Sequence, residues 1–280
     1  MTADREPPLP GAFPPETLAA FFDAVEINDV VDADVHLPDP IVLDCTDAQI
    51  RQCFALCLQF WEDGVHRSDL LALVGALLRD ATLPPADIVR YKHIRARYKQ
   101  LRFALVLYGR RHRVPPLFNA TVVVMGQLQD SFRNGQRRAV RGYALVLRAL
   151  LSRPLWALVR RGVERTRLDT ADGFLAYRKG EIRRLEKALA QDMLTGPQFH
   201  TLRRIVSRQV SFYDSQRTVR HDDHHYRMSR FLSAINGLMG SRHDEMVEQA
   251  MAGTRDYRTP APLDDDLRQR LELLVARYPL

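Results

Sequence analysis

The chain has 280 residues, of which 46% are hydrophobic and 27% charged, and its formal net charge is +7. This length allows one large or two small domains, and the hydrophobic content is enough for a packed core, which predicts a globular protein. The longest apolar runs, such as Leu70–Leu78, are too short to cross a bilayer, and the first residues lack the basic and hydrophobic segments of a secretory signal. The sequence therefore predicts a soluble protein that is not exported by a standard signal.

Charge is distributed unevenly along the chain. The first fifty residues contain eleven Asp or Glu and a single cation, Arg5, whereas the rest contains 40 of the 41 Lys and Arg and only 23 of the 34 acids. Only four of the cations are lysine. Because the planar guanidinium of arginine binds phosphate through two parallel hydrogen bonds, this composition favours an anion-binding protein, although a GC-rich genome produces the same bias.

Residues 1–44 are rich in proline and in acidic side chains. They predict a partly disordered arm around one short helix near residues 16–25. Such an arm could fold back over the basic body as a mimic of an anionic ligand, or it could serve solubility. Residues 45–280 are expected to form the folded domain.

From Asp47 onward the sequence has almost no period-two alternation, which predicts an all-α fold. Helices are predicted at 47–63, 67–80, 85–111, 115–134, 136–150, 153–166, 170–192, 197–217, 224–252 and 264–277. Long helices with short connections favour antiparallel bundles.

Three cysteines, Cys45, Cys53 and Cys57, give an odd count. Cys53 and Cys57 lie in an apolar helical run that lacks the further Cys or His of a metal site. The pattern predicts reduced core residues in a cytoplasmic protein.

The helix predicted at 85–111 combines a buried stripe with a row of cations. Its apolar residues recur at steps of three and four, the spacing of one buried face: Tyr91, Ile94, Tyr98, Leu101, Leu105 and Tyr108. Beside the stripe runs a second line with the same spacing: Lys92, Arg95, Lys99 and Arg102. Because four cations in a line repel one another, we expect an anion across from them, either a ligand or a carboxylate. A solvated charged face is the alternative interpretation.

The helix predicted at 197–217 shows the same arrangement. His200, Arg203 and Ser207 are spaced by three and four residues, and Arg204 and Arg208 lie beside them. Its apolar residues point toward a core: Phe199, Leu202, Ile205 and Val206.

Two later segments resemble each other at an offset of 114 residues. Residues 117–132 read LFNATVVVMGQLQDSF and residues 231–246 read FLSAINGLMGSRHDEM, with the shared pattern M-G-x-x-x-D. The first Met-Gly follows Lys92 by 33 residues, and the second follows His200 by 39. A cationic helix and a Gly/Asp helix therefore recur as a pair, which is a twofold symmetry in the sequence.

Glycine inside a helix costs about 1 kcal/mol relative to alanine, so Gly126 and Gly240 indicate positions where another helix approaches closely. Asp130 and Asp244 follow four residues later on the same face. We expect these carboxylates to pair with the cationic rows and to orient them while some N–H donors stay available. Alternatively, the glycines are only tight crossings and the aspartates are surface residues.

With these residues the sequence resembles the CHAD family, the conserved-histidine α-helical domains. That family has two copies of a helix patterned H-x-x-R-x-x-x-K/R-R-x-R, each followed by a helix that ends near L-G-x-x-x-D. The first pattern is matched by Lys92, in the place of histidine, and by Arg95, Lys99 and Arg102. The second is matched by His200, Arg203 and Arg208, with Ser207 and Val210 in place of basic residues. The closing motifs are matched by Gly126 with Asp130 and by Gly240 with His243 and Asp244.

The resemblance covers about residues 47–255. It implies two antiparallel helical bundles related by a pseudo-twofold axis, repeat 1 at about 45–166 and repeat 2 at about 167–280, with basic helices lining a central groove that binds inorganic polyphosphate. The candidate ligand-binding residues are Lys92, Arg95, Lys99, Arg102, His200, Arg203, Arg204 and Arg208, with Asp130, Asp244 and His243 beside them. A row of four cations on a helix spans about 15 Å, which suits a linear polyanion.

A metal site is the first alternative, at the segment RHDDHHY of residues 220–226. Its potential ligands of a divalent ion are His221, Asp222, Asp223, His224 and His225. An Asp pair on a helical enzyme resembles isoprenoid-diphosphate synthases, but no second acidic run of the expected kind stands opposite. The preferred interpretation is that Asp222 caps the helix that begins near His224, and neither a metal nor a cofactor is predicted.

Nucleic-acid binding is the second alternative, because basic residues are spread over several helices. The sequence shows no helix-turn-helix with a clear recognition helix, no zinc spacing and no aromatic stacking motif, so only the backbone of a nucleic acid would be contacted. A P-loop, G-x-S-x-G and H-E-x-x-H are also absent. The sequence therefore favours a non-enzymatic polyanion-binding module over a metal-dependent enzyme that acts on a phosphate or diphosphate.

Overall fold

The computed structural model describes residues 9–280 and has an all-α fold. Over this range it contains eleven α-helices and one two-stranded antiparallel sheet. The helices are α1 Pro15–Glu26, α2 Asp47–Gly64, α3 Arg67–Asp80, α4 Pro85–Leu107, α5 Pro116–Arg133, α6 Arg137–Leu150, α7 Arg153–Glu164, α8 Ala171–Leu189, α9 Gly196–Arg220, α10 Asp223–Met251 and α11 Asp265–Arg277. The strands are β1 Met193–Leu194 and β2 Ala261–Pro262. Each of the ten helices predicted from Asp47 onward is present.

The chain forms two compact units. The first comprises residues 50–169 together with the described residues 9–12, and the second comprises residues 13–49 and 170–280. The predicted boundary between the two repeats, after residue 166, lies close to the observed boundary after Asp169. The pseudo-twofold relation between the repeats stays a prediction.

The N-terminal segment differs from the predicted arm. The short helix is present as α1, which begins at Pro15 because a proline is well tolerated where no amide hydrogen is needed. It buries Phe21, Ala24 and Val25 and packs on α9, so residues 13–49 belong to the second unit and are not a separate, partly disordered arm. Residues 1–8 of the predicted arm lie outside the described residues.

The core of the first unit is built around α4. All six residues of the predicted stripe are buried, from Tyr91 to Tyr108. The rings of Trp61 in α2 and Phe118 in α5 pack against Tyr98, with centroids 5.7 and 5.3 Å from it. Cys53 and Cys57 are buried in α2, as predicted for core residues. These contacts fix the rotation of α4 about its axis and therefore the direction in which its cationic row points.

Helix α4 ends four residues earlier than predicted. After Leu107 the chain pairs with the segment that follows α7: the amide of Arg110 donates to the carbonyl of Arg167 at 2.9 Å, and the amide of Asp169 donates to the carbonyl of Tyr108 at 2.8 Å. This pairing joins residues far apart in sequence. The helical periodicity alone does not reveal it.

In the second unit α9 and α10 form the central helix pair, with α1, α8 and α11 packed around it. Every residue of α9 from Ile205 to Gln216 is buried, and many of these are polar. Several of these side chains are paired within the core: the hydroxyl of Ser207 donates to Asn236 at 2.8 Å, and the hydroxyl of Ser229 donates to Asp214 at 2.6 Å. Such pairing offsets the cost of removing polar groups from water.

The segment after α1 crosses α10 at a glycine. Arg230 donates to the carbonyl of Ile27 and Asn236 donates to the carbonyl of Asn28, both at 2.8 Å. A Cβ atom at Gly237 would lie 2.2 Å from the carbonyl oxygen of Asp29, so only glycine lets the segment lie this close. The acidic N-terminal stretch is thereby tied to α10.

Candidate functional site

The predicted cationic row lies along α4 at the edge of its buried stripe. Lys92 is exposed, and Arg95, Lys99 and Arg102 are half-buried. The ammonium group of Lys99 lies 5.7 Å from the centroid of the Phe103 ring, which stabilises the cation through the ring face. The stems of the row are therefore packed, while the charged groups lie near the surface of the first unit.

Arg95 contacts α5 at the Met-Gly pair. Its Nη2 lies 3.2 Å from the position that a Cβ atom at Gly126 would take, and Nε and Cζ lie 3.8 and 3.9 Å away. Tyr91 donates a buried hydrogen bond of 3.0 Å to the carbonyl of Met125. The expectation that Gly126 marks a close approach of the cationic helix is confirmed: the glycine makes room for the guanidinium itself.

Asp130 follows one helical turn after Gly126 and is exposed. Burial raises the pKa of Tyr91, the nearby charge of Arg95 opposes that increase, and the charge of Asp130 adds to it. Arg95 and Asp130 thus both act electrostatically on the same hydroxyl. A direct ion pair between Asp130 and the row stays a prediction.

The second unit contains the same contact between α9 and α10. Arg203 places Nη2 3.2 Å, and Cζ 3.8 Å, from the position of a Cβ atom at Gly240. His200 and Arg204 are exposed, and Arg203 is half-buried. The helix that carries them begins with a capping box, in which Thr195 and Gln198 exchange side-chain hydrogen bonds with each other's backbone amides. Arg95 in the first unit and Arg203 in the second therefore lie in the same way against the glycine of an M-G-x-x-x-D helix.

Arg208 was predicted to line the ligand site, and the structure corrects this. Its side chain is 9% exposed, and Nε and Nη2 donate to the carboxylate of Glu181 at 2.6 and 2.7 Å. Glu181 lies on α8 and is 2% exposed. Because its charge is compensated inside the core, Arg208 stabilises the packing of α8 on α9. The second row is reduced to His200, Arg203 and Arg204.

Sequence reasoning missed Tyr257, which completes a cluster in the second unit. The ring centroids of His200 and His243 lie 5.1 Å apart, and the Tyr257 hydroxyl lies 3.2 Å from Nε2 of His243. The same hydroxyl donates to the carbonyl of Gly196 at 3.0 Å. Because the Tyr257 hydroxyl donates its hydrogen to Gly196, we assign Nε2 of His243 as the donor to the Tyr257 oxygen. Tyr257 lies in the irregular segment after α10, where no periodicity marks it.

His243 also links this cluster to Asp244. Its Nδ1 lies 3.6 Å from the exposed carboxylate of Asp244. Burial raises the pKa of Tyr257, and the charge of Arg203 opposes that increase, which places the guanidinium in the same electrostatic environment. The predicted residues His200, Arg203, His243 and Asp244 are thus neighbours on α9 and α10.

Comparisons with models of protein families, with curated proteins and with solved structures find no match for this chain. Among the described residues, no single helix is long and apolar enough to cross a membrane; α6 and α7, with a bend of 71° between them, meet that criterion only as a pair.

The histidine and aspartate cluster of residues 220–226 begins α10. Asp222 is the N-cap and accepts a 2.8 Å hydrogen bond from the amide of His225, which confirms its predicted capping role. The same carboxylate contacts Nδ1 of His225. His224 accepts from the amide of Val42 at 3.4 Å. Within residues 9–280 no three His, Cys, Asp or Glu side chains converge in a way that could hold a metal ion.

A buried carboxyl group on α9 predicts a dependence of stability on pH. Asp214 is fully buried and accepts from Ser229, and Nε of Arg217 lies 3.3 Å away. Burial raises the pKa of Asp214 to about 6, against the partial compensation of Arg217 and Ser229. Because the folded pKa is above the unfolded one, the folded state binds more protons between them, and the contribution of Asp214 to stability is lost as the pH rises through about 6.

Urea unfolding of the wild type and of Asp214→Asn at pH 4.5 and pH 7 measures this effect. On going from pH 4.5 to pH 7, we expect the unfolding free energy of the wild type to fall relative to that of Asp214→Asn by on the order of 1–3 kcal/mol. Asparagine keeps an acceptor for Ser229 but does not ionise, so other titrating groups cancel in the comparison. The same pH dependence in both proteins would contradict the assignment.

Proposed function

We propose that the chain is a non-enzymatic module that binds linear polyanions, with inorganic polyphosphate as its preferred ligand. One observation carries the proposal: Arg95 and Arg203 occupy matching positions in the cationic patterns of α4 and α9, and each lies against the glycine of an M-G-x-x-x-D helix. The resemblance of the same residues to the CHAD family supports this proposal.

The contact with glycine prepares the arginine for an anion. A guanidinium that packs against a helix backbone has already lost much of its rotational freedom, so less entropy is lost when it forms hydrogen bonds to a phosphate group. On α4, Lys92 lies on one side of Arg95 and Lys99 and Arg102 lie on the other, one turn or two apart. Cations repeated about every 5 Å match a ligand whose negative charges also repeat.

The two rows differ in their number of cations. Lys92 stands where the family pattern has histidine. The row on α4 keeps four cations, whereas Arg208 and Ser207 of the second pattern are buried in the core. We therefore assign the larger part of the binding free energy to α4.

Titration of the protein with long-chain polyphosphate, duplex DNA and single-stranded DNA, matched in phosphate concentration, tests the proposal. We expect tighter binding to polyphosphate, and a logarithm of the binding constant that falls linearly with the logarithm of salt concentration. Equal or tighter binding to nucleic acid would favour a nucleic-acid-binding protein that contacts the backbone. Shortening of the polyphosphate during incubation with Mg²⁺ would instead favour an enzyme.

A further inference from the structure

The outer side of α6 carries an apolar stripe that faces solvent. Val140, Ala144 and Leu147 form the inner side, through which α6 packs on α3 and α5. The opposite side has a second set of small and apolar residues at steps of three and four: Gly142, Leu145, Val146 and Ala149. Leu145 is 59% exposed and Val146 is 48% exposed. Helix α6 therefore has one apolar face inside the first unit and another outside it.

Arginines lie along one edge of this outer stripe, and one of them, Arg138, lies within it. Four exposed arginines lie on α6, with no acidic residue in the helix: Arg137, Arg138, Arg141 and Arg148. Within the described part of the chain, no carboxylate lies at ion-pair distance from any of them. We call the stripe and these four arginines together the outer α6 face. Its positive charge favours an anionic partner, and its apolar stripe favours a partner that also has an apolar part.

We propose that the outer α6 face docks on the surface of an anionic lipid membrane. A helix that lies in a membrane interface has this composition: an apolar stripe enters the boundary between headgroups and acyl chains, and cationic side chains beside it contact lipid phosphates. The guanidinium suits a lipid phosphate because it donates two parallel hydrogen bonds. The helix lies on the membrane and does not cross it.

Other partners fit this face less well. A nucleic acid would satisfy the arginines but would leave Leu145 and Val146 against a polar backbone. A protein interface of this kind is usually anchored by large aromatic side chains in its centre, whereas the outer stripe consists of glycine, leucine, valine and alanine. An anionic bilayer satisfies both parts of the surface. The proposal does not depend on polyphosphate binding, since it uses no residue of the rows on α4 and α9.

Sedimentation of the full chain with vesicles of phosphatidylcholine, alone or mixed with phosphatidylglycerol, tests the proposal. We expect binding only to the mixed vesicles, with an affinity that falls as salt rises because the few apolar side chains do not suffice without the charges. The variant Leu145→Asp/Val146→Asp should bind at least tenfold more weakly, and Arg141→Glu/Arg148→Glu should do the same. Ile88→Asp/Val89→Asp is the control matched to the first variant in charge, because Ile88 and Val89 are an adjacent pair, 39% and 49% exposed, on α4 and lie outside the outer α6 face.

Unfolding temperatures of these variants should match the wild type, since the replaced side chains are exposed. The affinity of Leu145→Asp/Val146→Asp for polyphosphate should differ less than twofold from that of the wild type. This result separates membrane docking from the proposed polyphosphate binding. Two results would overturn the proposal directly: no binding to anionic vesicles, or equal binding by the wild type and Leu145→Asp/Val146→Asp. A third would assign the face to a contact between copies of the chain: the wild type self-associates without binding vesicles, and Leu145→Asp/Val146→Asp does not self-associate.

Discussion

Replacing Arg95 by glutamate is expected to weaken polyphosphate binding at least tenfold, which corresponds to about 1.4 kcal/mol. The variant removes the guanidinium that packs on Gly126 and places a negative charge between Lys92 and Lys99, where the proposed ligand has its phosphates. Isothermal titration or a fluorescence competition assay with long-chain polyphosphate measures the loss. The unfolding temperature should change little, because Arg95 is half-buried at the edge of the core.

The matched control for this prediction is Arg183→Glu. Arg183 is exposed on α8, so the variant changes the net charge equally without touching either cationic row. Loss of affinity in both variants to the same extent would mean that binding depends on the overall charge and not on the row. An unchanged affinity in Arg95→Glu would exclude α4 as the binding surface.

Removing the carboxylate of Glu181 is expected to destabilise the protein by about 3–5 kcal/mol, because Arg208 then remains charged in the core without a partner. Glu181 also lies 2.9 Å from Arg184, but that arginine is exposed and its ion pair contributes little. Chemical unfolding of Glu181→Ala, followed through the helical signal of circular dichroism, gives the change in unfolding free energy.

The double variant Glu181→Leu/Arg208→Met should recover most of this stability, since it removes both charges and fills their volume with apolar atoms. Its affinity for polyphosphate should equal that of the wild type, because Arg208 is part of the core and not of the ligand surface. A tenfold loss of affinity in the double variant would return Arg208 to the binding site. Equal stability of Glu181→Ala and the wild type would show that the buried pair is absent in solution.

Helical periodicity predicted the elements well because each helix is marked by its own residues. The six apolar residues of the predicted stripe, Tyr91 to Tyr108, are all buried, and the cations one position further round the helix lie at the edge of that buried face, as the geometry of a helix requires. The end of α4 was placed too late because Arg110 pairs with Arg167. The sheet of β1 and β2 was missed for the same reason: each strand has only two residues, and its partner lies far along the chain.

The candidate site was predicted only where a local pattern determines it. The repeated M-G-x-x-x-D motif located the contacts of Arg95 and Arg203, because a glycine inside a helix indicates a position where a neighbouring group lies close to the backbone. Arg208 has the same sequence context as the surface arginines, and its role is decided by Glu181 on another helix. Nor does the acidic composition of residues 13–49 reveal that Phe21 and Val25 pack on α9.

The passage of Ile27–Val31 across Gly237 has a consequence for how the protein is made. Residues 13–49 leave the ribosome before residues 50–169, yet the helices on which they pack are translated only after Asp169. We expect residues 50–169 to fold before the helices that contact residues 13–49 have been translated, so the second unit is completed last. Shortened versions of the chain that begin at Ile50 would therefore lose part of a hydrophobic core, not a dispensable leader.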